Sequence, residues 1–153
     1  METLPDEDSL KLLVEAPVAH LGTITDGRPY VTPMSFVLDE SRIRFRTMSG
    51  KKLDALREEP RVCIEVSRFD EVSGHWASVI VLGTAFEVES EMVEARVIEK
   101  LFEKYADAIG HPLRRGGLQP LTGLPHTVEV EIEEMTGMSS GGPLGLRTRP
   151  GRL

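Results

Sequence analysis

A tight-turn signal in the first fifth of the chain constrains the fold more than any other feature. Asp26-Gly27 separates two β-prone runs, residues 18–25 and 28–38. An Asp-Gly pair between such runs is a strong short-range signal for a β-hairpin, because glycine readily adopts the positive φ that the turn demands. The chain is therefore expected to build an antiparallel sheet from hairpins.

Four more β-prone segments and three helical segments are predicted along the rest of the chain. The strands are predicted at residues 43–47, 62–66, 76–89 (with a bulge or bend at Gly83) and 126–135. The helices are predicted at 6–15 (capped by Asp8 or Ser9), at 51–59 (ended by Pro60) and at 90–106 (capped by Ser90). Six strands with one long and two short helices predict a mainly β, α+β fold, a six-stranded antiparallel barrel.

A basic cluster at residues 42–61 stands out in an acidic chain. The 153 residues carry a formal net charge of −7, yet this stretch holds seven basic residues against three acidic ones. Its basic members are Arg42, Arg44, Arg46, Lys51, Lys52, Arg57 and Arg61. The first amides of a helix have no partner within it, so a small-residue turn followed by two lysines predicts a site for a phosphate-like anion. Alternatively, the strand arginines form only a solvated face.

Composition predicts the domain organisation and the compartment. The 40% hydrophobic content fits one compact domain, predicted at residues 1–138, with a Gly-, Pro- and Arg-rich tail at 139–153 that we expect to be poorly ordered without a partner. No run approaches the roughly 20 apolar residues of a membrane helix. The acidic N-terminus lacks the pattern of a secretory signal, and Cys63 has no second cysteine to pair with. A cytoplasmic protein is expected.

Several functions are disfavoured by the sequence. A net charge of −7 argues against broad nucleic-acid binding, which needs many phosphate contacts. The four histidines are scattered without metal-ligand spacing, so no metal site is predicted. Cys63 lies within an apolar strand, which is more typical of a structural thiol than of a nucleophile.

Four segments, in this order, resemble the flavin-binding split β-barrels of the pyridoxamine 5'-phosphate oxidase-like family, in particular the branch that includes nitroimidazole-resistance reductases. They are G-R-P-Y-V-T-P-M-S-F (27–36), F-R-T-M-S-G-K-K-L-D-A-L (45–56), P-R-V-C-I-E-V (60–66) and W-A-S-V-I-V-L-G-T-A (76–85). The resemblance covers roughly residues 14–137. It implies a split barrel that forms a homodimer with FMN at the subunit interface.

The resemblance also implies which residues bind this cofactor. The strand at 31–36 would border the isoalloxazine ring, and Trp76 and Ser78 would approach it from the other subunit. The ring-binding candidates are Thr32, Pro33, Met34, Ser35 and Phe36, and the phosphate-binding candidates are Arg46, Thr47, Ser49, Lys51 and Lys52. The turn before the helix is shorter than in the oxidases, so which of Ser49, Lys51 and Lys52 touches the phosphate stays open.

The implied activity is FMN-dependent oxidoreductase chemistry on a small molecule, with a nicotinamide cofactor as the reductant. No catalytic acid or base is identified by the sequence. The residues that hold pyridoxal phosphate in the oxidases have no counterpart here, so that substrate is not expected. Three alternatives stay open: a deazaflavin-dependent reductase of the same fold, a non-catalytic FMN carrier or sensor, and an empty barrel that acts as a dimeric interaction module.

Overall fold

The computed structural model describes residues 1–107 and 124–141, which form eight strands and three helices. The strands are β1 (Glu2–Thr3), β2 (Ala19–Thr25), β3 (Arg28–Met34), β4 (Val37–Asp39), β5 (Arg42–Thr47), β6 (Arg61–Phe69), β7 (Trp76–Glu87) and β8 (His126–Ser139). The helices are α1 (Asp6–Glu15), α2 (Lys51–Glu58) and α3 (Glu91–Tyr105).

The strands form one antiparallel sheet in the order β3-β2-β6-β7-β8-β5-β4, and β1 pairs with the far end of β8. Inward side chains from both ends of this order, such as Met34 on β3 and Phe45 on β5, belong to one hydrophobic core. A sheet whose two ends bury the same core must be curled. The predicted α+β class with a split antiparallel barrel is therefore confirmed.

The predicted number of six strands is wrong. The run at 28–38 is interrupted at Ser35 and Phe36, which separates β3 from β4, and the two-residue β1 was not foreseen. The last strand continues to Ser139, four residues past its predicted end at Met135, so the first residue of the predicted tail belongs to the sheet. The rest of that tail from residue 142 lies outside the described residues, and the domain boundary stays a prediction.

The three predicted helices are present, but one cap differs. Ser90 caps α3 as predicted, its Oγ accepting from the Val93 amide at 3.3 Å. Helix α1 begins after Pro5, and neither Asp8 nor Ser9 caps it. Ser9 is buried because it packs on β8 at Gly137, where any Cβ would collide with its hydroxyl oxygen.

Two glycine predictions are confirmed. Gly27 (φ 71°) and Asp26 (φ 50°) form the turn of the β2–β3 hairpin. At Gly83 the β7–β8 register shifts, and a Cβ there would collide with the Glu131 carbonyl oxygen of β8. None of the helices within residues 1–107 and 124–141 is long and apolar enough to cross a membrane.

Candidate functional site

The basic cluster is largely neutralised by carboxylates brought to it by the fold. The closest ion pairs are Arg42–Glu129 (3.0 Å), Arg44–Asp39 (2.8 Å), Arg46–Glu94 (2.8 Å), Arg57–Glu87 (2.7 Å) and Arg61–Glu59 (2.8 Å). Five of the seven basic residues are thus paired. Within the described part of the chain, Lys51 and Lys52 are the members of the cluster that have no carboxylate partner.

The strand arginines do not form a simple solvated face. Arg44 is only 3% exposed and is held by Asp39 and by Glu129 of β8, while Arg96 of α3 also reaches Asp39. Arg46, a predicted phosphate ligand, donates to Glu94 of α3 at 2.8 Å and to Thr127 Oγ1 at 3.3 Å. These arginines therefore fasten α3 to the sheet.

The two lysines stand at the start of α2. The first helical hydrogen bond runs from the Asp54 amide to the Gly50 carbonyl at 3.0 Å, so the amides of residues 51–53 are those that a helix start leaves without a helical acceptor. Lys51 Nζ lies 4.6 Å from the centre of the Tyr30 ring on β3. The helix start therefore faces the strand that was predicted to border a ligand.

Lys52 is the more informative of the two. Its side chain is half-buried, and burial lowers the pKa of its ammonium group. It makes no hydrogen bond or ion pair with any residue that the structure describes. A partly desolvated cation without a counter-ion is stabilised when an anion binds beside it.

The turn before α2 carries a hydroxyl that is linked to β8. The β5–β8 register places Thr47 opposite His126, and Ser49 Oγ lies 3.3 Å from His126 Nε2. On its other side, His126 Nδ1 lies 3.6 Å from a carboxylate oxygen of Glu87. Thr47 turns its hydroxyl to the Met48 carbonyl at 3.4 Å. Sequence reasoning noted His126 only as lacking metal-ligand spacing, because its partners are remote in the chain.

The outer edge of β3 is rich in acceptors and poor in donors. Of the described strands, only β2 pairs with it. In a two-residue hairpin the residues flanking the turn exchange hydrogen bonds, so residues 28, 30, 32 and 34 bond to β2 and residues 29, 31 and 33 face outward. Since Pro29 and Pro33 have no N–H, the edge offers one amide, at Val31, among three carbonyls.

The break between β3 and β4 is held by the end of α3. The Phe36 amide donates to Tyr105 Oη at 3.1 Å, and its carbonyl accepts from Lys104 Nζ at 2.9 Å. Tyr105 in turn donates to the Pro17 carbonyl at 2.9 Å. Burial lowers the pKa of Lys104 to about 8. From the sequence, Tyr105 was only one residue of the predicted helix at 90–106, and the role of its hydroxyl was missed.

The remaining predicted ring-binding residues differ in how they meet the surface. Met34 and Phe36 are buried in the core, Thr32 and Ser35 are half-buried, and Pro33 is exposed at the free edge. The Phe36 backbone is also fully bonded, as described above. Pro33 is therefore the member of this group most open to a ligand.

Trp76 and Ser78 lie elsewhere on the sheet. They are on β7, three strand spacings from β3 and hence about 14 Å away along the sheet. The Trp76 amide donates to Ser140 Oγ at 3.0 Å. One chain therefore does not bring Trp76 beside β3 through strand pairing.

The outer face of the sheet between β3 and β7 carries an apolar patch beside the His20–Glu65 ion pair. Ile24, Val31, Ile80 and Leu82 project from it and are each at least 40% exposed. Ile24, Val31 and Leu82 border a cleft of about 410 Å³ that also includes Cys63. Burial raises the pKa of the Cys63 thiol, so the thiol stays protonated near neutral pH. Trp76 and Ser78 point to this same face, since Ala77 and Val79, which alternate with them along β7, face the core.

Solved structures share this fold. An FAD-binding protein from Mesorhizobium loti is 24% identical with a TM-score of 0.73, covering 92% of this chain and 98% of that one. A protein from Bacteroides thetaiotaomicron, proposed to act in 5-nitroimidazole antibiotic resistance, is 16% identical with a TM-score of 0.70, covering 90% and 86%. The flavocytochrome Anf3 from Azotobacter vinelandii is 26% identical with a TM-score of 0.66, covering 92% and 70%.

The sequence itself identifies the family. Residues 5–139 match the family model described as pyridoxamine 5'-phosphate oxidase, a stretch that includes every strand from β2 to β8 and all three helices. The helix start at Lys51 and the free edge of β3 both lie within it. The chain therefore belongs to the pyridoxamine 5'-phosphate oxidase family.

Proposed function

We propose that this protein binds a flavin, namely FMN, at the interface of a homodimer and acts as an oxidoreductase on a small molecule. One observation carries the proposal: in the described cluster of basic residues, the fold neutralises five arginines and leaves Lys51 and Lys52 at a helix start. Structures of the same fold that bind FAD, together with a flavocytochrome, support a flavin as the ligand.

The phosphate group has a matching site at the start of α2. Phosphate monoesters carry about two negative charges, and charge-assisted hydrogen bonds are roughly twice as strong as neutral ones. Ser49, the first α2 amides, Lys51 and Lys52 supply donors on one short segment. A bound phosphate would supply the counter-ion that half-buried Lys52 otherwise lacks. Arg46 would act at a distance, because its guanidinium is bonded to Glu94 and Thr127.

The isoalloxazine ring has a matching edge on β3. The pyrimidine side of a flavin presents one N–H donor between two carbonyl acceptors. The free edge of β3 can match the donor and one of the acceptors, with a carbonyl of Pro29, Val31 or Pro33 accepting from the flavin N–H and the Val31 amide donating to a flavin carbonyl. Backbone groups of a pleated strand are fixed in place before binding, which limits the ordering entropy that binding costs. We assign the ring to this edge.

A second copy of the chain would complete the site. The apolar patch of the outer face, with Ile24, Val31, Ile80 and Leu82 exposed, would be covered by the partner. Trp76 and Ser78 lie on the same face but about 14 Å along the sheet from β3 within one chain. In a two-fold dimer, each face meets its own copy, so these residues can approach the ring held by the other subunit.

A flavin held by Lys51, Lys52 and the free edge of β3 would supply two-electron redox chemistry between a reduced nicotinamide and a small-molecule acceptor. This chain would bind the phosphate, orient the ring along β3 and shield it from water. Its described residues include no activated thiol, since burial keeps the Cys63 thiol protonated. We place the protein in the cytoplasm, in line with its single cysteine.

The first test is the visible absorption spectrum of the purified protein, followed by mass analysis of the molecule that heat releases. Flavin absorbance with FMN released at about one copy per chain supports the proposal. If FAD is released instead, the proposals of a bound flavin and of a phosphate site stand, and FAD replaces FMN as the proposed cofactor. Absence of flavin, with no uptake of added FMN, contradicts the proposal and favours a deazaflavin or an empty barrel.

The second test is the mass in solution by light scattering, with and without the cofactor. A dimer is expected. A monomer that still binds FMN with full affinity would contradict the interface arrangement while leaving the phosphate site intact. Turnover with reduced nicotinamide and small acceptors would then separate an oxidoreductase from a non-catalytic carrier or sensor.

A further inference from the structure

We propose that His126 controls phosphate binding by deciding whether the Ser49 hydroxyl can donate a hydrogen bond to the ligand. The inference rests on the proposed function, because the ligand is the phosphate ester held at the start of α2. The carrying observation is the contact of 3.3 Å between Ser49 Oγ and His126 Nε2. Ser49 is exposed and lies two residues before Lys51, the first residue of α2, so its hydroxyl is close in the chain to the predicted phosphate position.

A serine hydroxyl carries a single hydrogen, and this limits what Ser49 can do. The carboxylate of Glu87 lies 3.6 Å from His126 Nδ1, which favours the tautomer with a hydrogen on Nδ1. In neutral His126, Nε2 is then an acceptor and takes the Ser49 hydrogen. When His126 is protonated, Nε2 becomes a donor to Ser49 Oγ, and the Ser49 hydroxyl can then donate its hydrogen bond to the phosphate.

Protonation acts on the ligand in a second way as well. It places a positive charge one hydroxyl group away from the proposed phosphate position, in addition to the charges of Lys51 and Lys52. A protonated His126 therefore adds both a donor and a charge, whereas neutral His126 removes the donor. We expect Ser49 to contribute strongly to phosphate binding when His126 is protonated and weakly when His126 is neutral.

Other charged groups surround His126 and must be held constant in any test. Glu87 is the last residue of β7 and Glu89 lies just after it, while Arg46 is on β5 and Glu94 on α3. All four line the same cleft as His126. Arg57 of α2 holds Glu87 through two contacts, at 2.7 and 3.1 Å, and keeps the pKa of that carboxyl below its usual value. Glu87 is therefore ionised at mildly acidic as well as at neutral pH.

The test is a double-mutant cycle measured at two pH values. FMN dissociation constants are determined by flavin fluorescence for the wild type, Ser49→Ala, His126→Gln and the double variant, at pH 5.5 and 8.5. Glutamine carries an amide to the Nε2 position but does not titrate. The second ionisation of the phosphate itself, near pH 6, affects all four proteins alike and cancels in the cycle.

We expect Ser49→Ala to weaken FMN binding by about tenfold at pH 5.5 and by less than about threefold at pH 8.5 when His126 is present. With His126→Gln, the effect of Ser49→Ala should be the same at both pH values. Equal effects in the wild-type background, with FMN still bound, would overturn this inference alone. Absence of FMN binding by all four folded proteins would overturn the proposed function as well.

Discussion

Tyr105→Phe tests how the break between β3 and β4 is held. The change removes one oxygen atom and keeps the ring, so it opens almost no cavity. The fully buried Phe36 loses the acceptor of its amide, which donates to Tyr105 Oη at 3.1 Å. The Pro17 carbonyl loses the donor at 2.9 Å. A buried donor left without a partner costs about 1–3 kcal/mol, which we expect as the decrease in the free energy of unfolding.

The assay is urea unfolding followed by circular dichroism, with thermal unfolding as a second measure. For a chain of this size the loss corresponds to a fall in Tm of roughly 2–4 °C per kcal/mol. Tyr30→Phe is the matched control, because Tyr30 is only half-buried and we expect a change below about 0.5 kcal/mol. If Tyr105→Phe is no more destabilising than Tyr30→Phe, the hydrogen bond between Tyr105 and Phe36 does not stabilise the break between β3 and β4.

Two further predictions concern pH and packing. Burial lowers the pKa of Lys104 to about 8 in the folded protein, from its ordinary value of 10.5 in the unfolded chain. Between these two pH values the unfolded chain binds more protons than the folded one, so the free energy of unfolding should rise with pH from about 8 to 10. Lys104→Met should flatten that rise, as measured by urea unfolding at pH 8 and 9.5; an unchanged slope would contradict the assignment. Gly83→Ala should cost about 1–3 kcal/mol of unfolding free energy or more, because its Cβ meets the Glu131 carbonyl, whereas Gly22→Ala makes only a 3.4 Å contact and should cost less. Equal losses in the two glycine variants would refute the packing argument.

Features with local causes could be predicted from the sequence. Asp26-Gly27 specifies its hairpin through the positive φ of the turn, and Ser90 specifies the start of α3 through one side-chain acceptor. Gly83 indicated the bulge because glycine within a strand often marks one, and the structure places the Glu131 carbonyl of β8 where a Cβ would lie. The start of α2 at the lysine pair was also predicted correctly, because a helix start is recognisable from a few neighbouring residues.

Features that depend on remote partners could not be predicted. From the sequence, Arg44 is typical of a solvated strand residue. In the structure it is paired with Glu129 of β8 and with Asp39 at the end of β4. The break at Phe36 is invisible in a continuous β-prone run, because its hydrogen-bond partners belong to α3, nearly seventy residues later. The Ser49–His126 contact likewise depends on the β5–β8 register. The candidate site was thus predicted as a set of residues but not as an arrangement.

The most direct test of the central claim is the affinity of Lys51→Ala/Lys52→Ala for FMN and for riboflavin, which lacks the phosphate. Lys11→Ala/Lys100→Ala removes the same charge from α1 and α3 and serves as the control. Losing about 3 kcal/mol of charge-assisted contacts should weaken FMN binding roughly 100-fold and leave riboflavin binding unchanged. Unchanged FMN affinity in a folded double variant, or an equal loss for both ligands, would contradict a phosphate site at the start of α2.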